Sequence, residues 1–360
     1  MIIDGHLDLA MNALIGKRDL RQDVTTLRAR EAGGGTGGAA GMGTAMVAFP
    51  EMRACRMAVS CATLIARVAD DGATISYPTQ EVACASARGQ LAYYRLLEQA
   101  SVVRVLDTVA ALDAHLAAWQ AVTSGGADAP PLGLIIAMEG ADPILSPHDA
   151  TIWWRDGLRV VSLAHYGLSA YAHGTGTAGG LTAAGRRLLP ALEEVGMILD
   201  VTHLADQAWY EALDLFTGPV MASHSNCRAL VPGDRQSDDT ALRRLIARDG
   251  VVGAALDAWM LRPGWVKGVT ANSVVGLEAV ADHIDHVCQL AGDARHAAIG
   301  SDLDGGYGWE QCPHDLASIA GLPHLGELLR GRGYSEHDVQ GILWRNWVDL
   351  FRAAWSRPTA

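Results

Sequence analysis

The sequence predicts a (β/α)8 barrel of the α/β class, with an extra N-terminal insertion and added C-terminal helices, and three observations predict it. From about residue 130 onward, short apolar runs end in polar or glycine-containing turns and are followed by amphipathic stretches. With two earlier runs these candidate strands number about eight, the count of a closed barrel. Side chains able to bind metal recur at the ends of the runs, and a parallel barrel gathers all its strand ends at one rim. A doubly wound open sheet is the competing architecture.

In chain order the expected strands are Ile2–Gly5, Thr44–Phe49, Leu132–Met138, Leu158–Ala164, Met197–Val201, Val220–Ser223, Val251–Leu256 and Ala297–Gly300. Helices are expected near 181–195, 205–216, 238–248 and 275–291. Strand and helix alternating at this spacing imply a parallel sheet. Residues 33–44 are glycine-rich and hold a loose G-x-G-x-x-G, but they lead into a strand, so a loop is expected and not a phosphate cradle. Segment 52–121 reads as helices with one brief strand near Val102–Val105, inserted between the second and third barrel strands. Stretch 313–355 reads as two or three short helices, with Ser335 capping one and Asp338 completing a capping box. There is no repeat and no linker, so residues 1–360 are expected to form one domain.

Half of the residues are apolar (49%) and only 19% are charged, enough to fill a large core and too apolar for disorder. The net charge is −12 with no basic cluster, which argues against nucleic acid or an anionic membrane surface as the main partner. The six cysteines form no C-x-x-C pair and are expected to be reduced. The start of the chain has no basic or apolar leader-like region, and no apolar run reaches the roughly 18 residues of a membrane span. A cytoplasmic location is expected.

The chemistry sits at the strand ends. His6 and Asp8 are two residues apart, so on an extended segment an imidazole and a carboxylate point the same way and can share one ion. Glu139, His165, His203, His224 and Asp302 each close or follow an apolar run. A lone histidine at a strand end is ordinarily a satisfied structural residue. Six strands delivering such groups to one rim are not, because buried ionisable groups cost several kcal/mol unless paired or metal-bound. His6, Asp8, Glu139, His203 and His224 exceed what one catalytic zinc holds while keeping an open position. The two lysines, Lys17 and Lys267, sit at no strand end, so the bridge between two metal ions falls to a carboxylate, and Glu139 is best placed.

The motifs Asp4-Gly5-His6-Leu7-Asp8-Leu9, Met138-Glu139-Gly140, Leu163-Ala164-His165, Asp200-Val201-Thr202-His203, Ser223-His224-Ser225-Asn226 and Gly300-Ser301-Asp302-Leu303-Asp304-Gly305 follow one another along nearly the whole chain. In this order they resemble the membrane dipeptidase (renal dipeptidase) family of the amidohydrolase superfamily. The resemblance implies a dipeptidase in which His6, Asp8 and Glu139 bind one zinc, and Glu139, His203 and His224 the other. It implies that His165 hydrogen-bonds the substrate carbonyl and oxyanion, that Asp302 is the acid/base, and that Arg235 grips the substrate carboxylate, with Arg228 as the rival. A small peptide substrate and a homodimer follow from it, and a D-residue at the C-terminal position stays open. The segment after Pro50 and loop 166–180 depart from the mammalian pattern, which puts substrate choice in doubt; Tyr166, Tyr171 and His173 are expected to line the pocket.

Two other functions stay open: a metal-dependent amidohydrolase acting on an N-acyl amino acid, lactone or phosphoester, and an inactive binding scaffold. Other features have blander readings. His283 and His286, with Asp282 and Asp285, read as a solvated helix face. Ser223 and Ser225 lack a nucleophile-elbow pattern. Asp304 reads as structural, since glycines follow it.

Overall fold

Eight parallel strands close on themselves in the computed structural model, which describes residues 1–32, 42–122 and 129–356. They are β1 (Ile2–Leu7), β2 (Met57–Ile65), β3 (Leu132–Glu139), β4 (Leu158–Ser162), β5 (Ile198–Asp200), β6 (Val220–Ala222), β7 (Val251–Ala254) and β8 (Ala297–Ile299). Each pairs with the next, and β1 pairs with β8 at Asp4↔Ile299, so no barrel edge is left. Every residue of these strands is buried, as expected for strands packed on both faces. This is the expected (β/α)8 barrel. Helices Ala183–Val195, Asp206–Leu215, Asp239–Ile246 and Leu277–Ala291 lie where the amphipathic stretches predict them.

The second strand is not where the sequence reading put it. Residues 44–48 carry no strand, although 45–48 are buried; Pro50 then lies in the first turn of the short helix Phe49–Ala54. The Met46 and Val47 N–H groups donate to the Asp304 carboxylate instead of a sheet ladder, which makes Asp304 structural, as expected. The true strand, Met57-Ala-Val-Ser-Cys-Ala-Thr-Leu-Ile65, falls in the segment read as helical. Periodicity cannot separate a buried strand from a buried helix in so apolar a run. The brief strand is present as Val103–Val105, paired with Leu132–Leu134 along the edge of β3 that β4 takes further on.

The C-terminal helices fasten the barrel. Ser335 caps Glu336–Gln340 by accepting the Asp338 N–H, while its own hydroxyl donates to the Asp338 carboxylate. Within the helix Asn346–Trp355, Trp347 Nε1 donates to the Ile299 carbonyl, and its ring fills the space beside Gly5, where a Cβ would come within 2.5 Å of the indole. All six cysteines are free. No helix among the described residues is long and apolar enough to cross a membrane. Most of the glycine-rich stretch, 33–41, lies outside the described residues.

Candidate metal centre

The strand ends converge on one carboxylate. Glu139 closes β3, and its two oxygens face different groups. Oε2 lies 3.6 Å from His6 Nε2, which is itself 3.8 Å from Asp8 Oδ2. Oε1 lies 3.2 Å from His203 Nε2 and 3.3 Å from His224 Nε2. Two donor sets result, His6/Asp8/Glu139 and Glu139/His203/His224, each with its ligand atoms within 4.8 Å of one another. A third overlapping set, His6/His224/Asp302, brings the Asp302 carboxylate to the same centre, 3.8 Å from His6 Nε2.

Hydrogen bonds behind the histidines set which nitrogen faces inward. Ser223 Oγ donates to Asp200 Oδ2 at 2.5 Å, so at 2.9 Å it accepts from His224 Nδ1–H. Thr175 Oγ1 stands 3.0 Å from His203 Nδ1 and donates to the His203 carbonyl at 3.3 Å, leaving the same role toward that ring. Both rings therefore turn an Nε2 lone pair inward, the tautomer a metal ligand needs. Ser223 lies between Asp200 and His224 and is buried, an arrangement that holds an imidazole and offers no nucleophile. The Thr63 hydroxyl donates to Asp8 Oδ1, which steadies that carboxylate.

The strand termini carry a repeated device. Asp4 Oδ1 accepts the His6 and Ser301 N–H groups and its Oδ2 the Ser301 hydroxyl; Asp200 does the same for the Thr202 and Ser223 N–H groups and the Ser223 hydroxyl. Each aspartate pins its own strand end to the neighbouring strand. Sequence reasoning missed Asp4, Thr63, Thr175, Asp200 and Ser223 as parts of the site; the paired Asp-x-His and Asp-x-Thr-His patterns were the available signal. His203 and Asp302 have φ of 67° and 56°, left-handed conformations that non-glycine residues adopt where a site demands them.

Burial drives Glu139 up to about 8 and Asp302 well above the carboxylate range. Burial opposes charging His6, yet Glu139, Asp8 and Asp302 together hold it up at about 10. Burial keeps His203 and His224 well below the usual imidazole range, with nearby cations adding to it. His6 Nε2 is buried with no hydrogen-bond partner among the described residues. Neutral imidazoles, carboxylates and an orphaned inward nitrogen fit divalent cations in both donor sets.

A pocket opens over this centre, lined by Asp8, Glu139, His224 and Asp302 among others. His165 lines it with Nε2 3.9 Å from Glu139; burial lowers its pKa to about 3, so the ring is neutral. Tyr166 packs edge-on against His165 at 4.9 Å and also lines the pocket. Arg235 is buried, donates through Nη2 to the His224 carbonyl at 2.9 Å, and keeps Nη1 without a partner. Arg228 is instead clamped to Asp206 at 2.7 and 2.6 Å and does not line the pocket. Tyr171 and His173 do not line it either; Tyr171 is buried and bonds the Ile144 carbonyl. His283 is no solvated residue: it is buried, and its Nδ1 accepts the Cys227 N–H at 3.0 Å, while His286 pairs with Asp239 at 2.8 Å.

A family model described as membrane dipeptidase (peptidase family M19) matches residues 1–357. The chain is 34% identical over 181 residues to an uncharacterized protein in the pqqA 5' region of Klebsiella pneumoniae, covering 50% of this chain and 64% of that protein. It is 30% identical over 205 residues to dipeptidase tcpJ of Claviceps purpurea, covering 56% of this chain and 46% of that one. These alignments thus span about half to two thirds of the curated relatives' own lengths. Among solved structures, a metallopeptidase from Rhodobacter sphaeroides, bound to a phosphinate mimic of the dipeptide L-Ala-D-Ala, superposes with a TM-score of 0.77 at 25% identity, over 98% of this chain and 99% of that one.

Proposed function

The chain belongs to the membrane dipeptidase family, peptidase family M19, and on that premise we propose that it is a binuclear zinc dipeptidase that hydrolyses dipeptides with a free C-terminal carboxylate, D-residues at that position included. The observation that carries this reading is the two-sided environment of Glu139, with His6 and Asp8 toward one oxygen and His203 and His224 toward the other. The nitrogen-rich donor sets suit zinc. The phosphinate dipeptide mimic held by the Rhodobacter sphaeroides relative supports the substrate class and the D-residue.

When bound, the ion pair supplies a water acidified enough to attack at neutral pH and a Lewis acid for the scissile carbonyl. The residues of the chain do the rest. Asp302, beside His6, takes the proton of the attacking water and returns it to the departing amine. His165 donates to the oxygen on which charge develops. The unpartnered Arg235 Nη1 takes the substrate carboxylate, and Tyr166 walls the pocket beside it.

The deciding experiment is hydrolysis of a dipeptide panel, with L- and D-residues at the C-terminal position, alongside metal analysis of the same preparation. Two zinc equivalents and cleavage of free but not C-terminally amidated dipeptides are expected. Protein carrying both ions yet inert to every dipeptide would overturn the proposal.

A further inference from the structure

One carboxylate in the pocket has no part in this chemistry. Asp257, three residues beyond β7, lines the same pocket as Arg235 and is only 5% exposed. Its partners are neutral: Gln311 Nε2 donates to its two oxygens at 2.7 and 2.8 Å, and the Trp259 N–H donates at 3.3 Å. It forms no ion pair among the described residues; Lys267, a charged neighbour, spends its ammonium on the Gly306 carbonyl at 3.2 Å. Burial lifts the Asp257 carboxyl to about 7, only partly offset by the Gln311 and Trp259 hydrogen bonds and the more distant Lys267 charge.

Asp257 and Arg235 belong to one wall. The loops after β6 and β7 are laced together, with Gln236 Nε2 donating to the Met260 carbonyl at 2.8 Å and Asn226 Nδ2 to the Ala255 carbonyl at 3.0 Å. A residue whose carboxylate meets Arg235 would have Asp257 in the lining of the same pocket, within the loops tied together by these bonds. We propose that Asp257 is a specificity-determining residue that binds a cationic side chain, ammonium or guanidinium, on the C-terminal residue of the substrate. This rests on the dipeptidase reading above. A cation there turns a buried, unpaired carboxylate into a charge-assisted pair, an apolar side chain leaves it unpaired, and an acidic one is repelled.

Asp257 also caps the short helix Ala258–Leu261, so a structural role is the competing account. Asp257→Asn keeps the size and a cap acceptor while removing the charge, and its melting temperature reports whether the fold holds. The measurement is kcat/KM for Ala-Lys, Ala-Arg, Ala-Leu and Ala-Glu with the unaltered protein and the variant. The unaltered protein is expected to favour Lys and Arg over Leu by about tenfold or more, with Glu poorest, and Asp257→Asn to bring the Lys-to-Leu ratio close to one. Absence of the preference, or its survival in the variant, overturns the assignment. An equal loss on Ala-Lys and Ala-Leu also overturns it, moving Asp257 to the substrate's α-ammonium. If no dipeptide is cleaved, the dipeptidase reading fails by itself; calorimetric binding of free lysine against norleucine then still decides, with tighter lysine binding that Asp257→Asn abolishes as the supporting result.

Discussion

His203 and His224 bring their Nε2 atoms to 3.2 Å of each other, and both face the same oxygen of Glu139 at 3.2 and 3.3 Å. With both Nδ1 atoms already engaged by hydroxyls, this is a meeting of lone pairs, stable only around a cation. Glu139 touches both halves of the centre, so its charge should matter to both of the proposed ions.

Glu139→Gln preserves the shape and removes the charge. It is expected to lose both metal equivalents together, as read by elemental analysis, and hydrolysis with them. Retention of one full equivalent would show that the two halves bind independently. Chelation of the unaltered protein should lower its melting temperature and zinc should restore it, since an ion at about a hundred times its Kd adds about 2.7 kcal/mol to stability.

Ser223→Ala cuts the link from Asp200 to His224 while leaving every proposed ligand in place. Loss of such a support typically costs about 10–100-fold in metal affinity or activity. Competition against a chromogenic chelator measures this directly; an unchanged affinity would make Ser223 a bystander.

Arg235 and Arg228 separate cleanly. Arg235→Ala is expected to raise KM for free dipeptides by roughly 30-fold or more, because about 2 kcal/mol or more goes with a buried charge-assisted contact. Arg228, tied to Asp206 outside the pocket, should leave KM within about twofold when replaced by Ala. The reverse pattern would exchange their roles.

A Cβ at Gly305 would lie 1.9 Å from Asp302 Oδ1. Gly305→Ala should therefore push the Asp302 carboxylate aside and lower kcat, with both metal equivalents retained. Equal kcat in the variant would argue that the position of Asp302 is not critical to the reaction.

His283 makes stability depend on pH. Burial holds its pKa at about 4, against about 6.5 in an unfolded chain. Between these values the unfolded chain binds more protons, so stability rises with pH. The contribution is fully present above about 6.5 and is lost as pH falls toward 4, on the order of 3 kcal/mol in all. His283→Asn keeps an acceptor for the Cys227 N–H without titrating, so its denaturation midpoints should fall less steeply from pH 7 to 4.5 than those of the unaltered protein.

The ligand-bearing strand ends were legible because the signal is local: an apolar run, then His, Asp or Glu. The second barrel strand was not, since Met57–Ile65 and residues 45–48 are both buried and largely apolar, and only pairing with β1 and β3 makes the first a strand. Loop 166–180 departs from the mammalian pattern beside the expected pocket, yet it also delivers Thr175 behind His203, a role with no local mark.

By itself the sequence determined that strand ends rich in imidazole and carboxylate would meet at one rim, because run length, turn residues and side-chain order are written along the chain. The tertiary structure decided which oxygen of Glu139 faces which histidine, that Asp200 acts through Ser223, that Arg235 and not Arg228 lines the pocket, and that Asp257 is buried with no ion pair among the described residues. Each of these depends on hydrogen bonds and charges between residues brought together by strand pairing, and no spacing along one strand encodes its neighbour across the barrel.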